Sequence, residues 1–157
     1  MEIGATKAVQ DRLKTTKIEE SKGASLVFCW DTHLTKIKGR NVLFIVNASN
    51  RYTIAMTDIE PRNWNYYAMY IIRVIHGMMQ EMGYSEEQIE QYFKMSGDTT
   101  ITKTHGRKSV GGINRMVMDA QYFGKKLEKE AKYQWELSEY LNRDICQPEG
   151  FDAYGYP

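Results

Sequence analysis

Three apolar stretches in a row, separated by turn-forming residues, constrain the fold of this chain more than any other feature. The middle one, VLFIVNA at 42–48, is continuously apolar, which is typical of a strand that is buried on both faces. The stretches on either side, LVFCWDTHLTKI at 26–37 and YTIAMTDI at 52–59, are β-rich, and KGRN at 38–41 supplies a turn between the first two. Strand, turn, strand, turn, strand at this spacing predicts an antiparallel meander.

After the meander the pattern changes to helix. Asn63 is a suitable cap for a long helix over 64–82, in which apolar residues recur every three to four positions. Ser85 and Gln88 form a capping box that opens a second helix, which ends near Met95. A last helix is predicted to begin near Gly111 or Gly112 and to continue past Gly124 toward Asn142.

Two further short strands are predicted, one at 2–5 and one within TTITK at 99–103. The fold class is therefore α+β, with a small antiparallel sheet, made of the meander plus one later strand, packed against a long central helix and a C-terminal helix. Residues 1–157 are expected to form a single domain, with the tail at 145–157 packed on the body.

Composition excludes several classes of protein. The formal net charge is +1, so any electrostatic binding must come from the placement of charges rather than from their sum. No stretch is long and apolar enough for a membrane span, and the first ten residues contain no signal-peptide core. The two cysteines, Cys29 and Cys146, match no disulfide framework or metal motif. We therefore expect a cytoplasmic protein with no membrane partner, no metal and no cofactor.

One loop, THGRKSVGGINRM at 104–116, is the best candidate for a binding site. No carboxylate occurs between Asp98 and Asp119, and the loop leads into a helix N-terminus, where free N–H groups favour an anion. A phosphate, a nucleotide or a nucleic-acid backbone would suit such a site. The alternative is a capped turn whose charges point into water, since the glycines match neither a P-loop nor GxGxxG. The candidate anion-binding residues are Lys103, His105, Arg107, Lys108, Ser109, Gly111, Gly112 and Arg115.

A second acid-free window runs from Thr32 to Thr57 and covers the first two hairpins. If both windows faced the same side, they would form a basic surface despite the nearly neutral total. The sequence leaves open whether they converge. The cations of this secondary basic surface are Lys36, Lys38, Arg40 and Arg51.

Catalysis is a third possibility. Asp31 and His33 would share one face of a strand, and His105 could join them in a hydrolase-like centre. No HExxH, GxSxG or paired-carboxylate spacing supports this, so structural hydrogen bonding is the preferred role for these side chains and no catalytic residue is assigned. Neighbouring cations are expected to lower the pKa of His105 and keep it neutral.

The eleven tyrosines and nine methionines suggest a protein-binding module, because both residue types suit adaptable contact surfaces. Its partner would be a host protein, as for a phage-encoded inhibitor of a host defence system, or a second copy in a homodimer. The alternative is that these side chains fill the core. The candidate anchors are Trp64, Tyr66, Tyr70, Trp135, Tyr154 and Tyr156.

Four segments in the same order along the chain together resemble an uncharacterised bacterial domain family that also occurs in phages and mobile elements. They are TKAV at 6–9, FCWDTHL with RNVLFIVN inside 28–47, TKTHGRKSVGGIN at 102–114 and LNRDICQP at 141–148. The third segment is more basic than the family pattern, since Arg115 replaces an acid. The resemblance implies a compact α+β domain in a bacterial or phage setting, and it implies no activity, cofactor or catalytic residue.

Overall fold

A computed structural model describes residues 1–15, 18–147 and 152–157 and confirms the α+β class. Within these residues one five-stranded sheet is flanked by helices on both faces. The strands are β1 (Glu2–Ala5), β2 (Cys29–Ile37), β3 (Arg40–Asn47), β4 (Thr53–Thr57) and β5 (Thr100–Thr102). The helices are α1 (Lys7–Leu13), α2 (Pro61–Asn65), α3 (Tyr67–Glu81), α4 (Glu86–Ser96), α5 (Gly106–Gln121) and α6 (Trp135–Asn142).

The strand order is β4-β3-β2-β1-β5, and the sheet is mixed. The meander is confirmed, because β2 pairs antiparallel with β3 and β3 pairs antiparallel with β4. The prediction of a wholly antiparallel sheet is wrong, since β1 lies parallel to both β2 and β5. Parallel neighbours need a crossover of a dozen or more residues. The segment 6–28, which contains α1, provides such a crossover between β1 and β2.

The continuous apolar run in β3 reflects burial on both faces of the sheet. Leu43 and Ile45 face one core, which α3 covers, while Phe44 and Val46 face a second core under α5 and α6. Both sets of side chains are at most 4 % exposed. Successive side chains of β3 point to opposite faces of the sheet, so this strand lies between two apolar layers.

The structure corrects two of the predicted helices. The helix expected over 64–82 is divided at Tyr66, and its first part begins with Pro61 after Glu60, so Asn63 is not the cap. Proline is favourable in the first turn of a helix because its φ is already helical. An N–H group at that position would have no hydrogen-bond partner within the helix, so its absence costs nothing.

The long C-terminal helix is also two helices, with 122–134 between them. In this connection the Gln134 side chain donates to the carbonyl of Ala131 and to Thr57 Oγ1, which stabilises a non-helical path. The first of the two helices begins at Gly106, earlier than the expected Gly111 or Gly112. The capping box of Ser85 and Gln88 is confirmed.

The tail, predicted at 145–157, includes residues 148–151, which lie outside the described part. Around them, Cys146 and Gly155 exchange two backbone hydrogen bonds of 2.9 Å. Pro157 lines a hollow beside α5. In the described part of the chain, no helix has both the length and the apolarity that a membrane span requires.

Candidate functional site

A buried polar cluster lies where the start of α5 meets β1 and β2. His105 Nδ1 is 2.7 Å from Asp31 Oδ1, and His105 Nε2 is 3.0 Å from Glu2 Oε2. The Ser109 hydroxyl donates to Asp31 Oδ2, and the backbone N–H of His105 donates to the same carboxylate at 3.2 Å. All four residues are at most 8 % exposed. Buried charges of this kind are stable only when they are paired, as they are here.

Strand pairing and a glycine create the space for this cluster. Gly4 of β1 lies opposite Asp31 of β2 in the parallel register. A Cβ at Gly4 would lie 1.8 Å from Asp31 Oδ1 and 3.1 Å from His105 Nδ1, so only glycine leaves room for the carboxylate. Asp31 thus lies at the N-terminus of α5, where a negative charge is favourable. An anion at this helix end is therefore supplied by the chain itself.

The structure also corrects the expected charge state of His105. Burial by itself lowers the pKa of this imidazole, but the hydrogen bonds of Asp31 and Cys29, with the charge of Asp31, outweigh it and raise the pKa to about 10. Burial likewise tends to raise the pKa of Glu2, yet hydrogen bonds from Ser21, the Lys22 backbone and His105 bring it below its usual value. His105 is therefore an imidazolium between two carboxylates rather than a neutral ring.

The hydrolase-like centre is only partly assembled. Asp31 and His105 are in direct contact. His33 instead forms a hydrogen bond between its Nδ1 and Thr6 Oγ1, at 3.1 Å. Burial lowers the pKa of His33. Ser109 donates to Asp31, whereas an activated nucleophile would donate to a base such as His105. The geometry is that of a buried ion cluster, in which the acids and His105 are at most 8 % exposed.

The remaining cations of the basic loop point outward. Two of them, Arg107 and Lys108, are exposed on the first turn of α5, and the candidate residue Gly111 is exposed on the next turn. Arg115 lies two turns along the same helix and its Nε is 3.1 Å from Asp119 Oδ2. Lys103 precedes the helix and forms an ion pair with Glu20.

The two basic windows converge at one point. The side chain of Arg51 lies against Gly112 of α5, where an added Cβ would be 3.1 Å from Arg51 Nε. Arg51 is held by a tight turn in which its N–H donates to the carbonyl of Asn47 at 2.9 Å, and its φ is +65°. Because residues three and four apart share a helix face, Lys108 and Arg115 flank Gly112 on this side of α5. We call these residues the Gly112 face; Arg107, which is exposed at the start of the same helix, lies at its edge.

The other three cations of the second window lie elsewhere. Lys38 donates to the carbonyl of Lys125 at 2.7 Å, and Arg40 donates to the carbonyl of Glu128 at 2.6 Å and pairs with Asp58. Lys36 is exposed in the same hairpin. This hairpin and the Arg51 turn are at opposite ends of β3, about 24 Å apart for an eight-residue strand.

Next to Arg51 is a small hollow of about 60 Å³ beside α5 and the tail. Asn47, Thr53 and Ser109 contribute polar groups to its lining, and Asp119 and Asp144 bring negative charge. The Gly112 face is therefore basic on its outer side and mixed in charge toward the hollow.

A larger, apolar cleft was not predicted from the sequence. It has a volume of about 500 Å³ and lies between α3, α4 and the turns that flank β2 and β3. The only sequence signal for this cleft is the surplus of methionines, and that surplus does not indicate where on the fold they lie. Its lining includes Phe28, Trp30, Tyr52, Met78, Met79, Met82, Tyr84, Tyr92 and Met95.

None of the predicted aromatic anchors lines this cleft. Trp64 stacks on Tyr67 with ring centroids 5.4 Å apart, and Tyr70 is half-buried on α3. The other anchors are exposed at separate places on the surface: Tyr66, Trp135, Tyr154 and Tyr156.

Comparison with known proteins identifies the family alone. No curated protein and no solved structure matches this chain. One family model, described as "Domain of unknown function (DUF6933)", matches residues 2–157. This match spans nearly the whole chain and confirms the resemblance to an uncharacterised domain family. The chain belongs to the DUF6933 family.

Proposed function

We propose that this domain is a non-enzymatic binding module for a phosphate-bearing partner, namely the backbone of a nucleic acid. The contact surface is the Gly112 face with its cations Arg51, Lys108 and Arg115, together with the neighbouring exposed Arg107 at its edge. The observation that carries this proposal is the position of Arg51 against Gly112, which brings cations from two distant parts of the sequence onto one surface.

Three features of the Gly112 face support an anionic partner. A surface that carries several cations is complementary to a ligand with repeated negative charges, such as a phosphate backbone. The Arg51 turn is rigid, because Asn47 Oδ1 accepts hydrogen bonds from the N–H groups of Ser49 and Asn50 at 3.0 and 3.2 Å. Gly112 has no side chain, which allows the Arg51 side chain to lie close to the backbone of α5 beside the other cations.

The buried members of the predicted site take no direct part. His105 and Ser109 are already bonded to Asp31. They position the start of α5 and thereby the outward cations that follow. On binding, a phosphate replaces the partly buried Asp119 as the partner of the exposed Arg115.

The salt dependence of binding follows from four phosphate contacts. Each neutralised phosphate contributes about −0.9 to the slope of log affinity against log salt, so the expected slope on duplex DNA is about −3.6. A fourfold rise in salt then weakens binding by about 150-fold. Each cation that is removed should reduce the slope by about 0.9.

Fluorescence polarisation with labelled single- and double-stranded oligonucleotides at about 50 and about 200 mM salt tests the proposal. The double variant Arg107→Ala/Lys108→Ala should lose about half of the slope. The matched control, Lys36→Gln/Lys38→Gln, removes the same charge from the opposite end of the sheet and should bind as the wild type does. Absence of binding at the lower salt, or an equal loss in both double variants, refutes the proposal.

A second candidate function is supported by the apolar cleft, which fits an amphipathic helix of a protein partner. Methionine side chains adapt to varied apolar surfaces, and helix-in-groove recognition commonly uses such linings. Gln88, Gln91 and Asn50 lie among the lining residues and supply polar groups for orientation. The volume of about 500 Å³ is within the range of ordinary binding pockets.

Peptides selected from a displayed library of amphipathic helices test this second function. Peptides that bind the wild type should lose binding to Met82→Glu, which places a charge in the cleft. Met118→Glu is the control, because Met118 is also exposed but lies on α5, outside the cleft. Selected peptides that bind both variants equally would show that the cleft is not their site.

A further inference from the structure

Three metal-ligating side chains meet in the interior next to Asp31. The parallel register of β1 and β2 places Glu2 directly opposite Cys29, and β5 leads into His105. The carboxylate oxygen, the thiol sulfur and the imidazole nitrogen of these three residues all lie within 4.8 Å of one another. All three residues are buried, with exposures of 4 %, 0 % and 8 %.

This donor set is the one that zinc prefers. Zn²⁺ binds cysteine sulfur at about 2.3 Å, histidine nitrogen at about 2.0–2.1 Å and carboxylate oxygen at about 2.0–2.2 Å. In a tetrahedral site these bond lengths place the donor atoms about 3.3–3.6 Å apart. His105 Nε2 and Glu2 Oε2 are 3.0 Å apart and all three donor atoms lie within 4.8 Å of one another, so small side-chain shifts bring them to these separations. Calcium and magnesium prefer oxygen donors, and the thiol disfavours them.

A second observation points to a metal ligand, namely the way His105 is oriented. Its Nδ1 faces Asp31 Oδ1 at 2.7 Å, which directs Nε2 toward Glu2 and Cys29. Metal-binding histidines usually donate their second N–H to a carboxylate in this manner. Asp31 is itself fixed by Ser109 and by the backbone N–H of His105. The outer support that a zinc-binding imidazole requires is therefore present.

The geometry points to a buried zinc site in which Glu2, Cys29 and His105 are the ligands and Asp31 is the outer partner of His105. Three protein ligands leave the fourth position for a water molecule. The ion would join β1, β2 and the start of α5, three elements that are far apart in sequence. Three protein ligands with an open position also occur in catalytic zinc sites, but these ligands are buried, so the role that we propose is to hold the three elements together.

Charge and protons balance when zinc binds. In the metal-free cluster, two carboxylates, one imidazolium and one neutral thiol carry a formal charge of −1. On binding, Zn²⁺ displaces the Nε2 proton of His105 and the thiol proton of Cys29, and both protons leave to solvent. The occupied cluster then contains the cation, two carboxylates, one thiolate and a neutral imidazole, and its formal charge is again −1. Zinc thus replaces two protons without adding net charge to the core.

The loop before β2 provides the entry path. The backbone N–H of Lys22 donates to Glu2 Oε1 at 2.8 Å and covers the carboxylate. Residues 20–23 are exposed, so opening of this part of the loop uncovers Glu2 while the bridge between Glu19 and Thr102 of β5 stays in place.

The test uses tag-free protein from which metal has been removed by a chelator, with circular dichroism to confirm that it is folded. Titration with Zn²⁺ against a chromophoric competitor should show one tight equivalent, whereas Mg²⁺ should not compete. Titration with Co²⁺ should give a thiolate-to-cobalt charge-transfer band in the near ultraviolet. The thermal midpoint of unfolding should rise with zinc concentration, since zinc binds the folded state.

Matched variants assign the ligands. Cys29→Ser should abolish the cobalt–thiolate band, while Cys146→Ser, which removes the other cysteine, should retain it. His105→Gln should reduce zinc affinity at least tenfold, whereas His76→Gln should leave it unchanged. If Cys29→Ser does not fold, X-ray absorption of zinc-loaded wild type decides, and one sulfur with nitrogen and oxygen neighbours is expected. Folded wild type without zinc uptake, or a zinc shell without sulfur, would overturn the assignment.

Discussion

Replacement of Gly4 by alanine should destabilise this protein far more than an added methyl group normally does. The new Cβ would lie 1.8 Å from Asp31 Oδ1, well inside van der Waals contact. β1 is paired on both sides, with β2 and β5, so the backbone cannot move away without disturbing two ladders. The clash must therefore displace the Asp31 carboxylate from His105.

The magnitude follows from the interactions that are lost. Ordinary overpacking of a core costs about 1–3 kcal/mol. Loss of one partner from a buried ion pair costs about 3–5 kcal/mol, because the remaining charge is left uncompensated. We expect Gly4→Ala to lower the free energy of unfolding by about 3 kcal/mol or more, which corresponds to a fall of about 6–12 °C in Tm for a chain of this size.

Urea unfolding followed by circular dichroism, with chelator present, measures this change. Gly77→Ala is the matched control, since Gly77 lies within α3 and an added Cβ there meets nothing within 4 Å. That variant should gain about 0.5–1 kcal/mol, because alanine is the better helix former. In an Asp31→Ala background the obstacle at Gly4 is gone, so Gly4→Ala should cost much less there. An equal cost in both backgrounds would refute the reasoning.

Three other predictions concern stability. Ser85→Ala removes the confirmed capping box of α4 and should cost about 1 kcal/mol in urea unfolding, whereas no measurable change would contradict the cap. Ile45→Ala creates a cavity in a fully buried position of β3 and should cost about 2–5 kcal/mol, and a smaller loss would mean that the core collapses around it. Burial outweighs a hydrogen bond from Trp30 and raises the pKa of Tyr92 to about 12, above the value of about 10 in unfolded chains. This phenol thus adds stability below pH 10 that is lost as the pH rises toward 12. Urea unfolding between about pH 9 and 12 should therefore show a shallower decline for Tyr92→Phe than for wild type, and parallel declines would contradict this.

The sequence predicted those parts of the fold that depend on local pattern. Alternation and turn residues located β2, β3 and β4, and the capping box located the start of α4. The placement of β1 between β2 and β5 could not be predicted, because strand pairing across a long crossover leaves no local signal. The break at Tyr66 was missed for a different reason, since apolar periodicity continues through it even though the backbone does not.

The candidate site shows the same division between local and distant information. The loop at 104–116 contains no acid, and a count of neighbouring charges therefore predicted a lowered pKa for His105. The groups that raise this pKa are Asp31 and Cys29, which are 74 and 76 positions away in the sequence. The segment contains no acid in its own sequence, but the Asp31 carboxylate from another segment lies next to it in the fold. The pKa of His105 is therefore raised rather than lowered.

The basic loop therefore has two sides with different partners. His105 and Ser109 point inward, where Asp31 supplies the negative charge that the start of α5 favours. Arg107 and Lys108 lie between them in sequence and are exposed on the outer side of the helix. Formation of the buried cluster is what fixes the direction of these outward cations. A variant that disrupts the cluster should consequently weaken phosphate binding through loss of position, even though none of the cluster residues touches the ligand.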